Sequence, residues 1–177
     1  FKLSLDELKN LQEIISAVET VQSKKFNDLY SFLLKEKTIF ALADSKYSVC
    51  LDQLRKELQR LMQEFEKNTE IFNDLDLIFY NLESDYNIKS AIANKISLLN
   101  PNKTLIILES WNERTHFSAR RQDFKVKMND LLEQSIQGIP ESSAGGHIPA
   151  AAGGIPTNQL KQFKENVKNY LKKNYKK

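Results

Sequence analysis

The sequence predicts an all-α fold: an elongated antiparallel helical bundle or coiled coil of three or four long helices, followed by a tethered C-terminal amphipathic helix. Three observations support this. Residues 1–100 contain neither glycine nor proline, whereas an all-β chain needs turn residues about every 8–12 positions. Apolar residues recur at helical spacing along most of the chain. All five glycines and three of the four prolines fall within residues 138–157.

The first predicted helix begins at Ser4. Ser4 and Glu7 have the spacing of a capping box, in which the serine hydroxyl and the glutamate carboxylate each accept an otherwise unpaired backbone N–H. The apolar residues that follow recur at steps of three and four, which places them on one helix face. They are Leu8, Leu11, Ile15 and Val18.

The longest pattern is a heptad repeat in which the steps alternate between three and four residues. As one helix, residues 51–86 would span roughly 54 Å at 1.5 Å per residue. Asn68, the only polar residue of the seam, either fixes the register or lies where the bundle opens to solvent. The seam consists of Leu51, Leu54, Leu58, Leu61, Phe65, Asn68, Phe72, Leu75, Phe79, Leu82 and Tyr86.

Three apolar residues beside this seam widen its apolar face, so we expect the helix to be buried in a bundle and to contribute a partner-binding groove. They are Met62, Ile71 and Ile78. The start of the helix stays open, because the same register extends upstream: it begins near Ser23, or a break near Asp44 separates two helices.

Beyond the seam the sequence predicts two more helical segments. Ile88, Ile92, Ile96 and Leu99 form a new stripe, which must end by Asn100 because Pro101 disfavours helical backbone in the residue before it. Residues 104–137 are predicted to form a third long helix, ending at Gly138 and Pro140. Its apolar residues are Leu108, Trp111, Phe117, Phe124, Met128 and Leu131.

The glycine-rich stretch divides the chain into a helical body (residues 1–137), a flexible linker (138–157) and a basic helix (158–177). A flexible linker of this length has a reach of about 25 Å. It is either a natural tether or an engineered linker that fuses a partner's peptide to the body.

The last 20 residues carry seven lysines and one glutamate, a net charge of +6. Five apolar residues form the face predicted to bind a partner: Leu160, Phe163, Val167, Tyr170 and Leu171. Four lysines flank this face and are candidates for contacts with phosphates or an acidic surface: Lys161, Lys164, Lys168 and Lys172.

No catalytic, cofactor-binding or metal-binding motif is recognisable, so the sequence predicts a protein that is not an enzyme and needs no cofactor. The only histidines, His116 and His147, are interpreted as surface residues. The single cysteine, Cys50, excludes an internal disulfide and favours a reducing compartment, cytoplasmic or nuclear. No segment approaches the roughly 20 apolar residues of a membrane-spanning helix.

The predicted function is a non-enzymatic scaffold or adaptor, a subunit of a larger assembly. Its C-terminal helix would dock in a groove of the bundle or of a protein partner, and the body could form a homo-oligomer. The alternative is a module that binds a membrane surface or nucleic acid through the lysines of the C-terminal helix.

Overall fold

The computed structural model describes residues 4–22, 26–36, 39–43 and 45–175, and it shows a mixed α/β protein. The predicted all-α fold is therefore wrong. The chain forms two compact units, Phe1–Gln63 with Asp85–Ile88 and Glu64–Ser84 with Lys89–Lys177. These units do not follow the predicted divisions at residues 137 and 157. Within the described ranges, no helix is both long enough and apolar enough to cross a membrane.

The first unit contains helices α1 (Leu5–Val21), α2 (Phe26–Lys35) and α3 (Ser48–Gln63). The predicted capping box is confirmed, because Ser4 N donates to Glu7 Oε2 (2.7 Å) and Glu7 N donates to Ser4 Oγ (3.3 Å). Helix α1 packs against α3. Ser23 and Asp44, where the sequence left the helix start open, lie outside the described residues.

The predicted seam helix ends at Gln63, and the residues beyond it form strands β1 (Thr69–Phe72) and β2 (Leu77–Asn81). Four consecutive apolar residues of β2, from Leu77 to Tyr80, are buried, and a strand covered on both faces has such a continuous apolar run. Asn68 ends a 3-10 turn, so neither of its predicted roles in a seam applies.

The second unit continues with helix α4 (Lys89–Leu99), which connects β2 to the parallel strand β3 (Thr104–Trp111). Parallel strands need such a crossover, because a tight turn cannot join them. Ile92 and Ile96 are buried as their stripe predicts, whereas Leu99 is exposed.

The segment predicted as a third long helix instead contains β3, strand β4 (Arg114–Arg120) and the short helix α5 (Met128–Ser135). A two-residue turn joins the two strands, and Asn112 adopts φ 53° there. Asparagine tolerates this left-handed conformation, so the turn forms without glycine.

The predicted flexible linker is a β-hairpin of strands β5 (Ser143–His147) and β6 (Ala150–Pro156). Strand β6 pairs antiparallel with both β4 and β5, and the sheet order is β1-β2-β3-β4-β6-β5. Helix α6 (Leu160–Tyr175) follows β6 after one 3-10 turn.

One face of this sheet, here called the core face, packs with α5 and α6 into a common hydrophobic core. The rings of Phe117 on β4 and Phe163 on α6 stack with centroids 4.5 Å apart. Among the buried residues of this core are Leu77, Phe79, Ile106, Leu108, Phe117, Met128, Leu131, Ile155, Phe163, Val167 and Leu171. The C-terminal helix is therefore an integral element of the second unit.

A buried arginine follows the end of β4. Arg121 donates to Thr104 Oγ1 (3.0 Å) and, through Nε and a terminal nitrogen, to both carboxylate oxygens of Asp123 (2.7 and 3.1 Å). These hydrogen bonds hold the pKa of Asp123 below its ordinary value, and the nearby charge of Lys125 adds to the effect. The charged form of Asp123 is thus favoured by folding.

We expect Asp123→Asn to lower the free energy of unfolding at pH 7 by about 1–2 kcal/mol, because charge-assisted hydrogen bonds to Arg121 are lost. A lowered folded-state pKa stabilises the protein above the unfolded-state value, about 3.9, and this stabilisation is lost as the pH falls through the folded-state value. The difference between the wild type and the variant should therefore shrink below about pH 4. Urea unfolding of both proteins at pH 7 and pH 3 measures this difference in unfolding free energy. A difference that is equal at both pH values would contradict the lowered pKa of Asp123.

Candidate functional site

The five apolar residues predicted to bind a partner lie together, on the side of α6 that packs against the sheet. Phe163, Val167 and Leu171 are buried in the core, and Leu160 and Tyr170 are partly buried against it. Burial raises the pKa of the Tyr170 hydroxyl to about 12. This apolar face is thus already covered within the chain.

The predicted groove residues are not brought together within one unit. Met62 lies on α3 in the first unit, whereas Ile71 and Ile78 lie in the second. Ile71 is half exposed on the edge strand β1, and Ile78 is buried in β2.

Two of the four lysines on α6 have partners within the second unit. Lys164 Nζ lies 2.6 Å from Glu70 Oε1 and 5.4 Å from the centroid of the Phe79 ring. Lys168 pairs with Glu165 and lies over the ring of Phe72. The other two, Lys161 and Lys172, are exposed.

The face of the sheet opposite the core face is here called the outer face. Along most of strands β5 and β6 this face has only small side chains or none. Five small residues of β5 and β6 lie on it, here called the small-residue surface: Ser143, Gly145, Ala150, Ala152 and Gly154. The strand pairing aligns Ser143 with Gly154 and Gly145 with Ala152. Ser143 and Ala152 are exposed. Gly154 is buried beside the side chains of His116 and Arg114, so a ligand can approach the backbone of the two strands at Gly145 and Ala152.

Larger polar residues surround the small-residue surface. His116, Ser118 and Arg120 of β4 pair with Gly154, Ala152 and Ala150, respectively, and so project from the same face. His147, the last residue of β5, pairs with Ala150. Both histidines are exposed. The surface is thus a shallow floor bordered along β4 by His116, the buried Ser118 and Arg120, with His147 at one end.

The glycines of the hairpin have different surroundings on the two faces of the sheet. A Cβ at Gly145 would meet nothing within 4 Å, and one at Gly154 would lie 3.3 Å from His116 Nδ1 and 3.5 Å from a terminal nitrogen of Arg114. On the core face, a Cβ at Gly153 would lie 2.2 Å from the Ser143 carbonyl oxygen and 2.6 Å from the Phe117 ring. Glycine is therefore required for packing at Gly153, whereas at Gly145 it keeps the floor low and at Gly154 it leaves room for the side chains of His116 and Arg114.

Two arginines on the outer face lack a carboxylate partner among the described residues. Arg114 donates to the backbone oxygen of Glu141 (2.6 Å). Arg120 donates to Asn94 Oδ1 (3.3 Å), Ser118 Oγ (3.3 Å) and the Ala119 oxygen (3.1 Å), and burial lowers its pKa. Arginine stays protonated in proteins. The small-residue surface thus lies between two positive charges that no carboxylate of the described residues neutralises.

This arrangement suits a phosphate group. A planar guanidinium matches the oxygens of a phosphate, and glycine leaves room for a ligand close to the backbone. Within the described ranges, no three His, Cys, Asp or Glu side chains are grouped so that they could hold a metal ion.

This surface was not predicted from the sequence, in which His116 and His147 were interpreted as ordinary surface residues. One signal was available. The pairs Gly145–Gly146 and Gly153–Gly154 are eight positions apart, with Ile148–Pro149 between them. This spacing fits a short hairpin whose strands lack large side chains.

Comparison with solved structures identifies proteins with the same fold. RecJ from Thermus thermophilus, in complex with Mg²⁺, superimposes with a TM-score of 0.69 and 12% identity, over 93% of this chain and 25% of that chain. The pGpG-specific phosphodiesterase PggH from Vibrio cholerae gives 0.55 and 12%, over 85% and 51%. The DHH domain of a member of a ribosomal protein family gives 0.60 and 11%, over 96% and 43%. The chain thus spans about a quarter of the RecJ chain.

No curated protein matches the chain by sequence. The sequence model of the DHHA1 domain matches residues 77–173, which is more than half of the chain. This match and the observed sheet overturn the predicted coiled-coil scaffold or adaptor and its alternative, a membrane or nucleic-acid module built on a free helix. They also overturn the prediction of no enzyme, which rested on the lack of a recognisable catalytic, cofactor-binding or metal-binding motif. The chain belongs to the DHHA1 domain family.

Proposed function

We propose that the small-residue surface binds phosphate groups of a nucleic acid or nucleotide, and that the chain is the substrate-binding part of a RecJ-like phosphoesterase. The observation that carries this proposal is the backbone floor of β5 and β6 between Arg114 and Arg120, neither of which has a carboxylate partner among the described residues. Phosphate contacts of this kind position a nucleic acid without reading its sequence.

The comparisons support the chemical class of the ligand. The proteins that share the fold include an exonuclease, RecJ, and a phosphodiesterase specific for pGpG, and both names describe enzymes that cleave phosphodiesters. In this proposal the whole protein carries out the hydrolysis, and this chain binds the substrate.

The proposal keeps two predictions from the sequence that have not been tested. One is the reducing compartment, cytoplasmic or nuclear, that the single cysteine favours. The other is that the protein has protein partners.

We expect Arg114→Gln to weaken binding of a short single-stranded oligonucleotide by about 10-fold or more, because one hydrogen bond to a charged group contributes about 1.5–3 kcal/mol. The slope of log affinity against log salt should become less steep by about 1, since one fewer phosphate is neutralised. Fluorescence anisotropy of a labelled oligonucleotide across a salt series measures both quantities.

Lys172→Gln is the matched control, because it removes one positive charge from an exposed position on α6. Its effect on affinity should stay within about twofold, since salt screens charges far from the ligand. Arg114 also hydrogen-bonds the Glu141 backbone, so far-UV circular dichroism should establish that Arg114→Gln is folded. Equal losses for the two variants would reject the surface in favour of diffuse attraction.

A further inference from the structure

The single tryptophan of the chain is exposed at the end of a strand that is otherwise mostly buried. Trp111 is the last residue of β3, and 68% of its surface is exposed, whereas the residues from Thr104 to Leu108 are buried. Tryptophan presents a large apolar surface that is usually at least partly covered. An exposed indole is therefore a candidate for contact with a ligand.

Trp111 lies on the outer face, next to the proposed phosphate site. The strand pairing aligns Trp111 with Arg114, and Arg114 in turn with Pro156. The adjacent row contains His116 and Gly154. Neighbouring strands are about 4.8 Å apart, so the tryptophan backbone is about two strand spacings, or roughly 10 Å, from β6.

Two hydrogen bonds fix the turn that follows Trp111. Thr157 N donates to the Glu113 oxygen (2.8 Å). Arg114 donates to the Glu141 oxygen (2.6 Å). The turn between β3 and β4 is therefore fixed to the segments on either side of the β5–β6 hairpin. A platform whose backbone is fixed before binding costs less ordering when a ligand arrives.

We propose that Trp111 stacks on an unpaired nucleobase of the ligand whose phosphate binds the small-residue surface. This inference rests on the proposed function and assigns Trp111 a contact with an unpaired base. Every base has a π-face, so stacking on an aromatic side chain tolerates any sequence. In a duplex the bases are stacked on each other, and such a platform is available only to unpaired bases.

The test uses the full chain and its tryptophan fluorescence, which reports on Trp111 alone because the chain has no other tryptophan. Three ligands with equal numbers of phosphates are compared: a thymidine oligonucleotide, an abasic oligonucleotide of the same length and a duplex. We expect the thymidine oligonucleotide to quench the fluorescence and to bind roughly 5- to 100-fold more tightly than the abasic one.

Trp111→Ala should reduce the affinity for the thymidine oligonucleotide to that for the abasic one, and leave the abasic affinity unchanged. Anisotropy of labelled ligands provides the readout for this variant, which has no tryptophan. Tyr30→Ala is the matched control, because Tyr30 is an aromatic residue on α2 with 61% exposure. It should leave all three affinities unchanged.

The outcomes separate this inference from the proposed function. If thymidine and abasic oligonucleotides bind equally, and Trp111→Ala changes neither affinity, base stacking is overturned and the phosphate-binding function stands. If the duplex binds as tightly as the single strand and quenches equally, base stacking is likewise overturned. If none of the ligands binds the wild type at low salt, both proposals are overturned.

Discussion

Gly153→Ala is expected to destabilise the second unit by about 2–2.5 kcal/mol, a large effect for the addition of one methyl group. The new Cβ would lie 2.2 Å from the Ser143 carbonyl oxygen and 2.6 and 2.7 Å from two atoms of the Phe117 ring. The oxygen belongs to the paired strand β5, and the ring is stacked on Phe163, so neither can move freely. Overpacking usually costs about 1–3 kcal/mol, and contacts this short should lie at the upper end.

Replacing glycine with alanine also restricts the unfolded chain, which returns about 0.4–1 kcal/mol. The steric cost exceeds this gain. Thermal unfolding followed by far-UV circular dichroism should show a melting temperature lower by about 4–10 °C, given about 2–4 °C per kcal/mol for chains of this size.

The next residue provides the matched control. At Gly154 the new Cβ would lie 3.3 Å from His116 Nδ1 and 3.5 Å from Arg114, both atoms near the ends of side chains that can rotate. Gly154→Ala should therefore change the free energy of unfolding by less than about 1 kcal/mol. If the two variants have the same stability, the assignment of Gly153 to the core face and Gly154 to the outer face is incorrect.

The helices were predictable where the signal is local. The capping box at Ser4 and Glu7 involves residues three apart, and the apolar stripe of α6 identifies the residues that the core buries. In both cases the sequence pattern and the contact it produces lie within one element. The sequence could not show what α6 packs against, because its stacking partner, Phe117, is 46 positions away along the chain.

The sheet was not predicted, because apolar residues in its strands have the spacing of a helix and residues other than glycine form its turns. Phe72, Leu75 and Phe79 fit a heptad seam, yet a short apolar run fits a buried strand equally well. The absence of glycine argued against strands, but Asp76 and Asn112 adopt positive φ in its place. Turns in which a residue other than glycine adopts positive φ leave no signal in the composition.

The candidate site was missed for a different reason: its main property is a lack of side chains. Glycine and alanine are uncommon in strands, so the segment of Gly145 to Gly154 resembles a linker in composition. Its strand conformation depends on pairing with β4, about 35 residues upstream. The function of the glycines becomes visible only when the ring of Phe117 and the side chain of His116 are in place on opposite faces.

Phe163→Ala is expected to cost about 3–5 kcal/mol of unfolding free energy, because it removes a completely buried ring and leaves a cavity. The ring stacks on Phe117 at an interplanar angle of 16°, and this pair connects α6 to the centre of the sheet. Domains are typically stable by about 5–15 kcal/mol, so much of the stability of the second unit would be lost. Urea unfolding monitored by far-UV circular dichroism measures the change.

Gln162→Ala tests whether this loss comes from packing rather than from any change in α6. Gln162 is exposed on the same turn of the helix, and alanine has the higher helix propensity, so the change in unfolding free energy should lie within about 0.5 kcal/mol. Equal, small effects of the two variants would mean that α6 is dispensable for the stability of the sheet. A large effect of Phe163→Ala alone would mean that the stability of the second unit depends on the buried ring that joins α6 to β4 through Phe117.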